Sequence, residues 1–260
     1  MTGGPTLPST QDRFSLAGKV AVVTGGSRGL GREMVRAFAE AGADVVIASR
    51  KVEACAELAE EITASTGRVA VPVGCHVGHW DDVERLADTV HERFGRVDVL
   101  VNNAGMSPIY DSVVDVTEEL YDKVLDVNLK GPFRLTSIVG TRMVERGSGS
   151  IIMVSSGGAI RPHGRIIPYA AAKAGLNTMT VGFAHAFGPT VRVNCIMPGP
   201  FLSDISKAWD LEAVAKRQKE LYALQRAGEP AEIVGAALYF ASDASSFTTG
   251  AVLPVDGGMP

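Results

Sequence analysis

A short strand, a glycine-rich turn and a helix follow one another near the start of this chain, and that order constrains the fold more than any other feature. Lys19-Val20-Ala21-Val22-Val23 is apolar and rich in β-branched residues, the pattern of a strand covered on both faces in a parallel sheet. Thr24-Gly25-Gly26-Ser27-Arg28-Gly29-Leu30-Gly31 comes next. Arg32 to Ala41 then places Met34, Val35, Phe38 and Ala39 on one face of a helix. Glycines let the backbone turn tightly, and the helix start offers free N–H groups and a positive dipole end. This is the setting in which the pyrophosphate of a dinucleotide is held. Gly25, Ser27, Arg28, Gly29, Leu30 and Gly31 are its candidate contacts.

Strand patterns recur at Asp44–Ala48, Arg68–Val73, Val97–Val101, Ser150–Val154, Val191–Met197 and Ala251–Val255. Helical stretches separate them, most clearly Asp82–Phe94, with Val83, Leu86, Val90 and Phe94 on one face. Alternating β and α patterns imply right-handed crossovers. The expected fold is α/β: a single-domain, doubly wound Rossmann fold of about seven parallel strands with helices on both faces. No linker divides the 260 residues, so residues 14–260 read as one catalytic domain. Residues 1–13 read as a flexible tail, with Gly, Pro, Ser and Thr and no apolar core of a signal peptide. Residues 199–226 break the alternation and carry Phe201, Leu202, Trp209, Leu221 and Tyr222, an apolar lid segment or an ordinary helical insertion.

Composition narrows the function. The net charge of −4, with basic residues scattered, offers no nucleic-acid surface. No apolar run approaches the ~20 residues of a membrane helix. Cys55, Cys75 and Cys195 have no metal-type spacing, and their odd count argues against a disulfide framework, so a cytoplasmic location is expected.

Ligands of open parallel sheets bind at the carboxyl ends of the strands. Three further motifs fall at such ends. Asn102-Asn103-Ala104-Gly105 follows the run Val97–Val101, and its small residues leave room for a cofactor's adenosine side. Ser155-Ser156 closes the run Ser150–Val154. Soon after comes Tyr169-Ala170-Ala171-Ala172-Lys173, with the phenol and the ammonium one helical turn apart on the same face. A nearby cation favours phenolate, so a tyrosine pKa lowered toward neutral is expected, and with it a general acid/base.

In these residues the chain resembles the classical short-chain dehydrogenases/reductases, over roughly residues 14 to 258. Thr24, Gly25, Gly29 and Gly31 match that family's glycine motif, and residues 102 to 105 its Asn-Asn-Ala-Gly. Asn128, Ser156, Tyr169 and Lys173 match its catalytic set, and Pro198-Gly199 the motif whose backbone faces the nicotinamide. The resemblance implies hydride transfer between a nicotinamide cofactor and a carbonyl or secondary alcohol. Tyr169 then exchanges the hydroxyl proton, Ser156 bonds the substrate oxygen, Lys173 holds the nicotinamide ribose, and Asn128 positions a water linking Lys173 to solvent. His163 is a loop residue or a substrate contact. The tyrosine–lysine spacing is that of the ketone/alcohol type rather than of the family's enoyl reductases. The resemblance also implies a homotetramer, packed through the small-residue helix that carries Tyr169.

Two positions depart from the family pattern. His76, followed by Val77, stands where Asp commonly accepts a hydrogen bond from the adenine amine; a neutral imidazole can accept there through one ring nitrogen, the alternative being a packing residue. Ser203 stands nearest the family's threonine after Pro-Gly. Cofactor choice is read at the end of the strand 44–48. No carboxylate occupies Ser49 to bond a ribose 2′-hydroxyl, while Arg50 and Arg28 are placed to flank a 2′-phosphate. NADP(H) is the expected cofactor, and a small-molecule carbonyl or alcohol the expected partner. The alternatives are an NAD(H)-dependent alcohol or polyol dehydrogenase, and a non-catalytic NADP(H)-binding regulator.

Overall fold

The computed structural model describes residues 9–203, 206 and 211–260. Of the expected tail, residues 1–8 lie outside the described residues. Thr10–Phe14 forms a short helix, α1, which replaces tail by a capped turn. The Ser9 hydroxyl accepts from the Asp12 N–H and the Asp12 carboxylate accepts from the Ser9 N–H, so the first backbone groups are satisfied locally.

Seven parallel strands follow the expected pattern: β1 Val20–Thr24, β2 Asp44–Ser49, β3 Ala70–Gly74, β4 Val99–Asn102, β5 Gly149–Val154, β6 Val191–Pro198 and β7 Val252–Val255. Their order in the sheet is β3-β2-β1-β4-β5-β6-β7. The chain thus runs outward from β1 in one direction, then crosses back to lay β4 on its other side, in the register Ala21↔Val99 and Val23↔Val101. Between β1 and β4 the crossovers diverge and leave a crevice at the carboxyl ends.

Alternate strand residues feed two apolar layers. Ala21, Val23, Val45, Ile47, Val99 and Val101 meet α2 (Gly29–Glu40), α3 (Val52–Thr66) and α9 (Val234–Ala241), through Phe38, Ile62 and Phe240. Val20, Val22, Val46, Leu100 and Ile151 meet α4 (Trp80–Phe94), α6 (Gly131–Arg146) and α7 (Ile167–Phe187), through Leu86, Met143 and Leu176. Among the described residues the remaining α-helices are α5 (Glu118–Leu125), which runs through one π-helical turn, Asp126–Lys130, into α6, and α8 (Leu211–Leu221). Among the described residues no helix is long and apolar enough to cross a membrane.

The opposite ends of the strands are held by one buried carboxylate. Asp98 accepts from the Val20 N–H at 2.8 Å, from both Arg96 Nε and Nη2, and from Arg146 Nη1 at 2.8 Å. Burial alone drives its pKa up, but Arg96, the Val20 N–H and Arg146 outweigh that and hold it below its ordinary value. A depressed folded pKa gives stability that is present above the unfolded value near 3.9 and is lost as pH falls through the folded one. Asp98→Asn is expected to lose about 1.5–3 kcal/mol at pH 7, with a shallower decline toward pH 3. Urea denaturation at fixed protein concentration between pH 3 and 7 measures both.

Candidate active site

The glycine turn lies at the carboxyl end of β1, against the ends of β2 and β4. Gly25 donates its N–H to the Ala48 carbonyl at 2.7 Å. Gly31, in the first turn of α2, sits so close to the Gly25 carbonyl that a Cβ would lie 2.3 Å from that oxygen. Only glycine permits this approach, which leaves the α2 N-terminus open to an anion. Arg28 is the extended residue before α2. Gly29 has φ +53° and faces Ser203, so the hydroxyl-bearing residue after Pro-Gly lies at the turn. Leu30 packs its side chain on the core beneath, leaving its backbone at the helix start.

At the end of β2 the Ser27 hydroxyl donates to Ser49 Oγ at 3.1 Å, and Ser49 Oγ donates to the Lys51 carbonyl at 3.1 Å. The Ser49 proton is thus turned to its own loop. Arg50 is exposed and within electrostatic reach of His76. His76 corrects the expectation made for it. Its Nδ1 accepts from the Gly78 N–H at 3.2 Å, so the neutral ring carries its proton on Nε2 and presents a donor, not an acceptor, at its outer edge. Burial, then the His79 ring stacked on it at 4.1 Å, then Arg50, lower its pKa and keep the ring neutral. Its backbone N–H donates to Asp82 at 2.9 Å. Val77 turns inward to the core, with its carbonyl against Gly131 at the start of α6.

At the end of β4, Asn103 donates its amide to the Thr24 and Gly25 carbonyls at 2.9 and 3.2 Å. The N–H groups of Asn103 and Ala104 both donate to the Thr24 hydroxyl. Gly105 sits between two polar side chains: a Cβ there would lie 2.9 Å from Asn128 Oδ1 and 3.4 Å from Lys173 Nζ. Asn128 lies in the π-helical turn and is fully buried. Its amide donates to the Met106 and Val124 carbonyls at 2.9 and 2.8 Å, and its Oδ1 accepts from the Met106 N–H. The side chain is therefore committed to backbone and pins the loop after Gly105.

Helix α7 begins with Pro168 in its first turn, where a missing N–H costs nothing. The Ile167 N–H there donates to the Tyr110 hydroxyl at 2.8 Å. Tyr169 is in that turn, with Ser156 in hydrogen-bond reach, and both flank Gly158. Lys173, one turn on, is 3% exposed; its Nζ donates to the Val154 carbonyl at 2.8 Å and stands 5.7 Å from the Tyr169 ring centroid. Burial lowers the lysine to about 8, so it remains mostly protonated at pH 7. The phenol differs from expectation. Burial raises its pKa, and the hydrogen bond from Ser156 opposes this only in part, because the ammonium is turned to a carbonyl instead of the phenol oxygen.

The structure thus brings Ser156, Tyr169, Lys173 and Asn128 together at the ends of β4 and β5, beside Pro198-Gly199 at the end of β6. His163 stays in its exposed loop, where Nδ1 accepts from the Arg165 N–H. Within residues 199–226, expected as a lid or a helical insertion, Phe201 is buried while Leu202 and Leu221 are exposed; Trp209 lies outside the described residues. Sequence reasoning passed over Tyr110 as a support for α7, since nothing local ties it to a helix 57 residues later. It also passed over the single use of Ser155, whose hydroxyl donates to the Lys173 carbonyl at 2.9 Å; that residue's place beside Ser156 was its only signal.

The geometry has counterparts of known sequence. A family model described as "Enoyl-(Acyl carrier protein) reductase" matches residues 25–260. The human protein "Dehydrogenase/reductase SDR family member 4" is 38% identical over 254 residues, covering 95% of this chain and 90% of its own. "L-rhamnose 1-dehydrogenase (NAD(P)(+))" of Azotobacter vinelandii is 40% identical over 257 residues, covering 94% of this chain and 97% of its own. Among solved structures, the NADPH-dependent 3-quinuclidinone reductase of Rhodotorula rubra superposes with a TM-score of 0.91 at 33% identity, over 98% of this chain and 97% of that one. With the fold, the glycine turn and these relatives in agreement, the chain belongs to the classical short-chain dehydrogenase/reductase family of oxidoreductases.

Proposed function

We propose that this protein is an NADP(H)-dependent oxidoreductase that interconverts a small-molecule carbonyl and the corresponding secondary alcohol, with Tyr169 as the general acid/base. The observation that carries the reading is the convergence of Ser156, Tyr169 and Lys173 at one end of a crevice whose other end is the glycine turn.

The residues present fit a dinucleotide. The glycines of the Gly25–Gly31 turn bare the backbone at the α2 N-terminus, where a pyrophosphate would be held. Asn103, Ala104 and Gly105 form the wall for the adenosine side, with Val77 and the Nε2 donor of His76 beyond them. Lys173 would hold the nicotinamide ribose, and the Pro198-Gly199 backbone would face the ring. When bound, the nicotinamide supplies or accepts the hydride. Every proton is then moved by the chain's own groups. A buried phenol with a raised pKa is protonated at neutral pH and is ready to give its proton to a carbonyl oxygen. The Ser156 hydroxyl stabilises charge developing on that oxygen. Lys173 Nζ, 5.7 Å from the centroid of the phenol ring, is the cation beside it, and Asn128 fixes the loop next to that lysine. The segment 199–226 covers the substrate, and its exposed apolar Leu202 and Leu221 favour a moderately polar or apolar carbonyl over a phosphorylated one.

Arg50 and the absent carboxylate at Ser49 favour NADP(H), and the named preference of the Rhodotorula reductase runs the same way. The Azotobacter relative, whose name gives NAD(P)(+), keeps NAD(H) as the second reading. The exposed Phe133 on α6 and Val181 on α7 support pairing of these helices between subunits in a homotetramer of closed two-fold symmetry. Light scattering at micromolar concentration should return a mass near four chains; a monomer removes this assembly.

Tyr169→Phe keeps the ring packing and removes the proton. Its kcat on the best carbonyl of a panel of ketones, quinones, sugars and 3-oxoacyl thioesters should fall about 10²- to 10⁴-fold, with NADPH affinity kept. Retention of more than a tenth of the rate excludes the tyrosine. Arg50→Ala should weaken NADPH roughly 10-fold or more, by the arithmetic of a charge-assisted hydrogen bond, and leave NADH nearly unchanged. Because Arg50 is exposed, added salt should shrink the difference. Equal binding of both cofactors by the wild type transfers the assignment to the NAD(H) reading.

A further inference from the structure

The segment Asp256–Met259 crosses three parts of the site, and at each crossing one partner is glycine. Gly199 meets Asp256, where a Cβ on the glycine would lie 2.6 Å from Asp256 Cα. Gly258 meets Ala223, just past α8, with the same 2.6 Å to the alanine Cβ. Gly157 meets Met259, with 2.8 Å to its Cε. Hydrogen bonds fix the path. The Ala223 and Leu224 N–H groups donate to the Gly258 and Gly257 carbonyls at 3.2 and 2.9 Å, the Gly199 N–H donates to the Val255 carbonyl at 3.0 Å, and Asp256 Oδ1 accepts from the Gly258 N–H at 2.9 Å. Gly257 and Gly258 turn the chain through φ +68° and +73°.

Met259 therefore arrives at Gly157 on a rail bonded to both the lid end and the Pro198-Gly199 loop. Gly157 follows Ser156 directly, and the Ser156 hydroxyl accepts from the Gly158 N–H at 3.1 Å. Two adjacent glycines have wide conformational freedom. The serine caps a single 3-10 turn, closed also by the Ala159 N–H on the Ser156 carbonyl at 2.9 Å, and the thioether methyl fills the space over Gly157 that a side chain there would take. A flexible, polarizable methionine suits such an irregular gap.

We propose that Met259 is a positioning residue for Ser156, held against the Gly157-Gly158 turn by the strap Asp256–Gly258. The proposal rests on Ser156 acting at the substrate oxygen, as read above. Met259 touches neither the reacting atoms nor the cofactor in this assignment; it sets the orientation of the hydroxyl through the backbone of the next residue.

A double-mutant cycle tests it, using the full chain, NADPH and the panel carbonyl with the highest kcat/KM. Met259→Ala is expected to lower kcat roughly 10- to 100-fold, the scale of a misplaced catalytic group, with the NADPH dissociation constant within twofold of wild type. Met259→Leu, which refills the gap, should recover most of the rate. In the Ser156→Ala background Met259→Ala should cost nothing further, because the group it orients is gone. If the two losses multiply, or if Met259→Leu is as slow as Met259→Ala, Met259 does not position the serine and the proposal falls while the reading of Ser156 stands. If Ser156→Ala alone keeps the wild-type rate, the reading of Ser156 falls and this proposal with it.

Discussion

One hydroxyl at the crevice holds two strand ends to each other. Thr24 Oγ1, at the last residue of β1, donates to the Val101 carbonyl at 3.2 Å and accepts from the N–H groups of Asn103 and Ala104. Asn103 returns the contact to the Thr24 and Gly25 carbonyls. These bonds lie between β1 and β4, where the sheet order reverses. Without them each strand end carries unpaired polar groups into a half-buried space, at about 1–3 kcal/mol for each group. With them, the glycine turn and the Asn-Ala-Gly loop form one surface. Gly105, Asn128 and Lys173 build outward from it, and through Lys173 so does the helix that carries the phenol.

Burial and pairing then divide the charges of the site. The Lys173 ammonium is given a carbonyl partner, Val154, and the phenol a hydroxyl partner, Ser156. The lysine drops to about 8 and the tyrosine rises. Desolvation therefore favours the neutral form of both groups.

The strands and the location of the candidate site at their carboxyl ends were legible in the sequence because buried parallel strands write themselves as continuous apolar runs. The tyrosine–lysine pair was legible because helical spacing alone sets it on one face. The state of each group was not. Whether Tyr169 faces the ammonium depends on where Val154 ends its strand, and which nitrogen of His76 is free depends on the Gly78 turn two residues on. Tyr110 and Met259 escaped for another reason. Each supports an element far away in the chain, through a packing contact or a backbone bond that any of several residue types makes, so no local pattern marks them.

Asp98 lies at the end of the sheet opposite to all of this. Its carboxylate ties β1, the Arg96 turn and the end of α6 without sharing a residue with the site. Loops at the carboxyl ends can therefore change in length and composition while that anchor keeps the strands in register. The two ends of the molecule are free to diverge at different rates, so a lineage built on this scaffold acquires new substrates by redrawing one rim of the sheet and leaving the other as inherited.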